Sequence, residues 1–409
     1  MGRTYVVGTI LLAVAVLTPA CGMTWYVDGS VSSSGDGATW ETALKTIQEG
    51  IDKALEGDTV TVAEGVYIEN IHFDGKNIIL TGTDPLNPDV VAGTIIDGNQ
   101  SGSVVTFDGT ENETCVLSGF TLQKGKAEYG GGVYGGPFSD RLTHATIRNN
   151  VVTENVASYY GGGLAHCAGL VENNIIKGNS ADTHGGGLYS CQGTIQNNVI
   201  AGNGVEGYGG GMAMCYGTIQ SNTIFENSAG IYGGGLYLCN GIIRNNTVST
   251  NSAWTSGGGF AECDGEIYNN IIAGNFVESA AGGGLADCDA MIHSNTIVGN
   301  AAGVSTTSRG GGLFNCTGWI QNCIIWGNTA LEAPQFYAPG VTPTHCCIEG
   351  WVHGGTGNVT SDPRFVDADG ADDNAETYGD NDYRLLEDSP CIDAGKNEEW
   401  MTGASLNNS

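Results

Sequence analysis

From residue 127 to residue 330 the apolar positions return about once every 24 residues, with no 3.6-residue helical spacing between them. Leu164, Leu188, Met212, Leu236, Phe260, Leu285 and Leu313 mark one apolar position. Ile147, Val171, Ile195, Ile219, Ile243, Ile267, Ile292 and Ile320 mark another. Polar positions keep the same beat. Asn150, Asn174, Asn198, Asn222, Asn246, Asn270 and Asn295 form one row, and Asn155, Asn179, Asn203, Asn227, Asn251, Asn275, Asn300 and Asn328 a second. Glycine triplets begin at Gly161, Gly185, Gly209, Gly233, Gly257, Gly282 and Gly310, and each is followed by a cysteine: Cys167, Cys191, Cys215, Cys239, Cys263, Cys288 and Cys316.

Short β-branched runs punctuated by Gly and Asn are strand-and-turn chemistry. Helical repeats are longer, about 33–47 residues. The unit predicts a solenoid in which each coil of about 24 residues holds three short strands and three bends, stacked at strand spacing, ~4.8 Å. Like residues then stack on like. The leucine and isoleucine rows face inward, the asparagines hydrogen-bond up and down the stack and tolerate left-handed bends, and the glycines permit bends that a Cβ forbids. The cysteine row has three readings: small buried hydrophobes, disulfides between successive coils, or a metal or redox role. No Cys-x-x-Cys and no accompanying histidine row favours the last. Cys323, Cys346, Cys347 and Cys391 lie outside the row and are better disulfide candidates, with no pairing readable.

The ends differ. Residues 1–20 read as a secretory signal: Arg3, an apolar run from Tyr5 to Leu17, and small residues before Cys21. Free secretion and lipidation at Cys21 are both open. Residues 21–126 are expected to be an N-terminal cap and first irregular coils. Trp25–Val27 reads as a strand, and Thr42–Leu55, with Leu44, Ile47, Ile51 and Leu55 in helical register, as a capping helix. Residues 135–142 read as a surface loop. Residues 331–409 are expected to be an irregular acidic region, and the stop at Ser409 leaves a truncated chain as one reading.

Composition narrows the function. Of 409 residues, 67 are Gly, and 44 acidic against 14 basic side chains give a net charge of −30. Such a chain lacks the basic surface that nucleic acid requires. No stretch after the leader is long and apolar enough to cross a membrane, and a monomer is expected. The positions flanking the cysteines vary most and so read as an outward face. Glu262, Asp264, Asp287 and Asp289 fall there on two successive coils, with no basic residue between Arg244 and Arg309. A solvated acidic face, a calcium site or a catalytic site are the readings, with Arg309 or His293 as the weak candidate base. Asp367, Asp369 and Asp372 are a second candidate calcium loop, although the spacing is not that of an EF-hand. Tyr189, Tyr237 and Phe314 either stack on sugar rings or pack sideways at the glycine bends.

Trp25-Tyr-Val-Asp-Gly-Ser, Ala38-Thr-Trp-Glu-Thr-Ala-Leu and Gly57-Asp-Thr-Val-Thr-Val-Ala-Glu-Gly-Val-Tyr resemble the opening of bacterial parallel β-helix proteins of the pectin-lyase-like superfamily. The Gly- and Asn-rich repeats also resemble those of polymorphic outer-membrane proteins. Asn322-Cys-Ile-Ile-Trp-Gly-Asn, Ser361-Asp-Pro-Arg-Phe-Val-Asp, Asp382-Tyr-Arg-Leu and Ser389-Pro-Cys-Ile-Asp-Ala-Gly are similar to the choice-of-anchor Q region of surface proteins. The resemblance implies an all-β fold, a single-stranded right-handed parallel β-helix with about 24-residue coils, an N-terminal capping helix and an irregular acidic C-terminal region. It also implies a secreted or cell-surface protein, and the expected role is a structural, adhesive or glycan-binding module, on a polysaccharide or cell-surface glycan, without catalysis. The alternative is a calcium-dependent polysaccharide lyase or related carbohydrate-active enzyme. The Asn-Thr-Asp, Gly-His and Arg-Ile-Lys marks of polygalacturonase-like hydrolases are absent from the chain.

Overall fold

The structure, a computed structural model, describes residues 22–137, 141–303, 308–370, 372 and 381–397. The leader, Cys21 and the centre of the 135–142 loop lie outside the described residues. The chain winds into a parallel β-solenoid. Among the described residues two sheets of 12 strands and one of 11 run its length, one of 8 runs from Lys126–Tyr129 to Ala301–Ala302, and each strand pairs with the equivalent strand one coil on. A regular coil holds four strands rather than the expected three: Leu164–Ala165, Val171–Glu172, Ile175–Lys177 and Ser180–Ala181. The additional strand is the Ser-Ala pair after the second asparagine. Its small alanine packs in a satellite cluster, Ala157, Ala181, Val205, Ala229 and Ala253, outside the main core. The 24-residue period hid it because two residues are too few to show alternation.

The core is the stack itself. Leu188, Cys191, Ile195 and Ile200, and their equivalents along the stack, are fully buried. Burying one such leucine or isoleucine contributes roughly 1.5–3 kcal/mol. All seven ladder cysteines are buried free thiols. Each sulfur donates to the carbonyl two residues back, as Cys215 does to Ala213 O at 3.5 Å. The reading as small buried hydrophobes therefore holds over the disulfide reading in this structure.

The two residues of each Asn-Asn pair do different work. The first, such as Asn197, is exposed at φ +55°, where it makes the left-handed bend. The second, such as Asn198, is buried and builds the ladder. Cys323 takes the rung after Asn295, and Gln335 caps the second ladder, its Oε1 accepting from Asn328 Nδ2 at 2.7 Å.

The first coil is closed by a helix, α1 (Ile47–Lys53), shorter than the expected 42–55. It starts where Thr46 and Glu49 form a reciprocal capping box. The preceding Trp40–Thr42 turn is a separate 3-10 segment. Ile47 and Ile51 are fully buried against the first coils. At the other end the sheets outlast the sequence period. Phe336–Tyr337 and Cys347–Ile348 add further rungs, so the solenoid runs beyond residue 330. The tail then forms a small antiparallel pair, Phe365–Asp367 with Asp382–Leu385. Among the described residues no helix is long and apolar enough to cross a membrane.

Candidate functional site: an axial groove with a glycine floor

The residue two after the ladder cysteine is glycine in six of the seven coils, at Gly169, Gly193, Gly217, Gly241, Gly265 and Gly318, and Ala290 in the other. At this bend consecutive coils touch backbone to backbone. A Cβ on Gly217 would lie 1.9 Å from Gly193 O, and one on Gly241 1.8 Å from Gly217 O. At these six glycines a Cβ has no room, and the result is a strip of bare backbone along the solenoid axis, broken by the buried Ala290. The residues on either side of each glycine stand up as walls. One cavity of about 620 Å³ is lined from Ala168 to Ile242, and a second of about 650 Å³ from Asn240 to Trp319. They share Gly241 and Ile242, so they form one open groove.

The lower part of this groove is polar, with Gln192, Thr194, Tyr216 and Thr218; the upper part carries Asp264, Glu266, Asp289, Met291 and Trp319. Tyr216, Ile242, Met291 and Trp319 are 39–46 % exposed, an unusual amount of accessible apolar surface along one line. Next to the groove, on the outer face of the same sheet, runs a hydrogen-bonded row. Gln196 donates to Glu172, Gln220 to Gln196 (2.7 Å), Arg244 Nε to Gln220 (2.9 Å) and Arg244 Nη1 to Tyr268 Oη (3.1 Å). His293 continues it, stacked on Tyr268 with ring centroids 4.9 Å apart and planes at 5°. Register explains the row: Glu172, Gln196, Gln220, Arg244, Tyr268 and His293 are successive partners in one ladder.

The four carboxylates fall into two pairs, one before and one after the cysteines. Glu262 and Asp287 precede their cysteines at φ +52° and +53°. Glu262 accepts from Tyr237 Oη at 3.4 Å, and Asp287 from Asn315 Nδ2 at 2.7 Å. Asp264 and Asp289 follow their cysteines and line the groove, where Asp289 N donates to Asp264 Oδ1 at 2.9 Å. Burial raises the Glu262 pKa, and the Asp287 and Asp264 charges raise it further. Burial, then the Glu262 charge, pushes Tyr237 up to about 12. Among the described residues no three carboxylate, imidazole or thiol groups gather closely enough to hold a metal ion. In the tail, Asp367 lies on a strand while Asp369 and Asp372 are exposed; the neighbouring acidic positions 373, 376 and 380 lie outside the described residues.

Arg309 is engaged away from this groove. Its Nε meets Glu332 at 2.6 Å and its guanidinium lies 4.9 Å over the Tyr337 ring. Glu332 raises its pKa, which suits a structural cation and not a base. His293 serves the aromatic row, between Tyr268 and Trp319. The aromatics at the glycine bends pack sideways. Tyr189 stacks on Tyr160 (4.5 Å, 14°), Tyr237 on Tyr208 (4.9 Å, 26°) and Phe314 on Tyr337 (5.6 Å, 9°).

Sequence reasoning found one wall of the groove, the variable residues after each cysteine. It missed the other: Leu170, Thr194, Thr218, Ile242, Glu266, Met291 and Trp319. The signal was present as a variable position wedged between a repeated glycine and a repeated isoleucine.

Fold and groove together define a parallel β-solenoid with an axial surface channel. No family model and no curated protein matches the sequence. Among solved structures the chain is similar to pectate lyase Pel9A, at 13 % identity and TM-score 0.46 over 93 % of both chains. It is also similar to the GH136 lacto-N-biosidase from Eubacterium ramulus, at 12 % identity and TM-score 0.35, covering 83 % of this chain and 68 % of that one.

Proposed function

We propose that this solenoid is a non-catalytic binding module of the cell exterior that holds an extended, uncharged glycan along the glycine-floored groove. The observation that carries the reading is the groove itself. It is linear, open at its top, and combines exposed aromatic and apolar faces (Tyr216, Trp319, Met291) with amide and hydroxyl groups (Gln192, Thr194, Thr218). Sugar rings need both, apolar faces for their C–H surfaces and hydrogen-bonding groups for their hydroxyls. Asp264, Glu266 and Asp289 in the groove, on a chain of net charge −30, disfavour polyanionic glycans such as uronates. Export rests on the leader-like residues 1–20.

Among the described residues the groove lining holds the carboxylates Asp264, Glu266 and Asp289 and no basic side chain. In the groove region Arg244 is engaged by Gln220 and Tyr268. The reading is tested by measuring both binding and reducing-end release on a panel of neutral and acidic polysaccharides, with and without calcium. Retention on a neutral glycan with no new ends is expected. New ends on any glycan would establish the lyase or hydrolase alternative, and no retention on any neutral glycan would sink the binding reading.

A further inference from the structure

Twelve cysteines lie among the described residues, all of them free thiols; eleven are buried, and Cys391 alone is partly open. The last strand of its sheet is Cys347–Ile348, in register with Ile324–Ile325. Cys347 N donates to Cys323 O at 2.8 Å, and its thiol donates to Ser361 O at 3.3 Å. The chain leaves this coil, continues through the acidic region, and returns. Leu386 N donates to Arg364 O at 2.9 Å, Arg364 pairs with Asp388, and Ser389 Oγ donates to Pro363 O. Beyond Cys391, Lys396 N donates to Asn322 Oδ1 at 2.8 Å and Asn322 Nδ2 to Lys396 O at 3.0 Å. Cys391 is thus fixed between two anchors: its N–H donates to Ser389 Oγ at 3.2 Å, and Ser389 bonds Pro363 O, two residues from the Ser361 carbonyl that takes the Cys347 thiol; each thiol is the largest influence on the other's titration. Cysteines 44 positions apart are thereby tied to one short segment, residues 361–363.

Thiol contacts occur elsewhere, along the ladder and between Cys323 and Cys346, but there every partner is buried. An oxidant reaches none of those sulfurs in the folded chain. At Cys347 and Cys391 one partner is accessible and the other is in contact with it. This asymmetry is what an exchange reaction needs.

We propose that Cys347 and Cys391 are a disulfide-forming pair, oxidised by a small-molecule disulfide such as oxidised glutathione, which clips the C-terminal segment onto the final coil. Cys391, as thiolate, attacks one sulfur of the small disulfide; the S–S bond breaks and one glutathione thiolate leaves. Cys347 loses its proton to solvent and attacks the Cys391 sulfur of the mixed disulfide, releasing the second thiolate. Two protein thiols are oxidised, one disulfide is reduced to two thiols, and atoms and electrons balance. The order of attack follows the environments. Contact with Cys347, aided by Ser389, holds the Cys391 thiol down to about 7. The same contact, with burial, pushes Cys347 up. Cys391 is therefore the nucleophile near neutral pH and Cys347 the resolving thiol. The bond clips the returning tail to a final coil whose edge is already bridged by Val359, through Ile348 N to Val359 O and Val359 N to Cys346 O, both at 2.9 Å.

The test uses the full chain, incubated with oxidised glutathione and mapped as non-reduced peptides by mass spectrometry. One linked pair containing Cys347 and Cys391, two hydrogens lighter than the sum of its parts, is expected. Cys391→Ser and Cys347→Ser each abolish it, whereas Cys346→Ser leaves it. Because Cys391 is half-exposed, Cys391→Ser is expected to fold, and its melting temperature no longer responds to reductant, while that of the oxidised parent falls on reduction. Alkylation of both thiols in the oxidised folded protein, Cys391 recovered only as its glutathione adduct, or a link from Cys391 to another cysteine overturns the proposal.

Discussion

Asn222 Oδ1 accepts two hydrogen bonds from Asn198, from the backbone N–H at 2.9 Å and from the side-chain amide at 3.0 Å. Asn198 Oδ1 does the same for Asn174. Its amide also reaches Val171 O and Gln196 O, both at 2.9 Å. One buried side chain thus satisfies three backbone groups of two coils and the side chain of a third, at a bend where the sheet ladder is interrupted. Asn198→Ala orphans a buried N–H and two carbonyls, each costing roughly 1–3 kcal/mol, so a loss of about 3 kcal/mol is expected. Its neighbour Asn197, exposed at φ +55°, should tolerate glycine with a change under about 0.5 kcal/mol. Chemical denaturation of both variants checks the contrast. Equal effects would mean that the ladder bonds are not what stabilises the bend.

The glycine floor is the next test. Gly217→Ala places a methyl 1.9 Å from Gly193 O, in backbone that cannot yield without separating two coils. A destabilisation of about 1–3 kcal/mol or more is expected from this overpacking. Gly202→Ala is the comparison, since its Cβ meets nothing within 4 Å and only the φ of +60° penalises it. Thermal melts of the pair should rank Gly217→Ala as the more damaging.

Glu262 gives a pH signature. Burial, then the Asp287 and Asp264 charges, raise its folded-state pKa. A carboxyl raised on folding adds stability below its ordinary pKa and loses that contribution as pH rises through the folded value. At neutral pH the ionised Glu262 is therefore a burden. Glu262→Gln should raise the melting temperature at neutral pH, and the gain should vanish below about pH 4, where the glutamate is already protonated. A gain that persists unchanged in acid would assign the effect to packing.

Groove binding has its own variants. Trp319→Ala and Tyr216→Ala each remove an exposed ring from a wall, and each should weaken glycan binding about tenfold, on the order of 1 kcal/mol for a ring contact. Trp254, 57 % exposed and outside the groove, is the control whose alanine variant should bind as the parent does. Titration calorimetry on the best-retained neutral glycan reads all three.

Much of this was legible before any coordinates. The repeat specified a parallel β-solenoid, the inward leucine and isoleucine rows, the two asparagine ladders and a helix over the first coil. Repetition makes these properties readable, because in a stacked coil every residue's main neighbour is its own equivalent one period away. The glycine two after six of the seven ladder cysteines was equally visible, and the structure shows why a Cβ has no room at Gly193, Gly217 or Gly241.

What the tertiary structure decided concerns residues whose neighbours are not their repeats. Glu262 and Asp264 are two apart in sequence, yet a left-handed residue and an inward cysteine send them to different partners, Tyr237 and the groove. Arg309 lies 22 residues after Asp287 and 23 before Glu332, and the register that sets it opposite Glu332 and over Tyr337 appears only in the folded chain. Cys391, in a tail with no period at all, is carried back to Cys347 by Arg364, Ser389 and Asn322. Periodic order propagates contacts by translation along the axis, so one coil predicts the next. Where the period ends, each contact depends on how the whole chain closes, and only the folded structure holds that information.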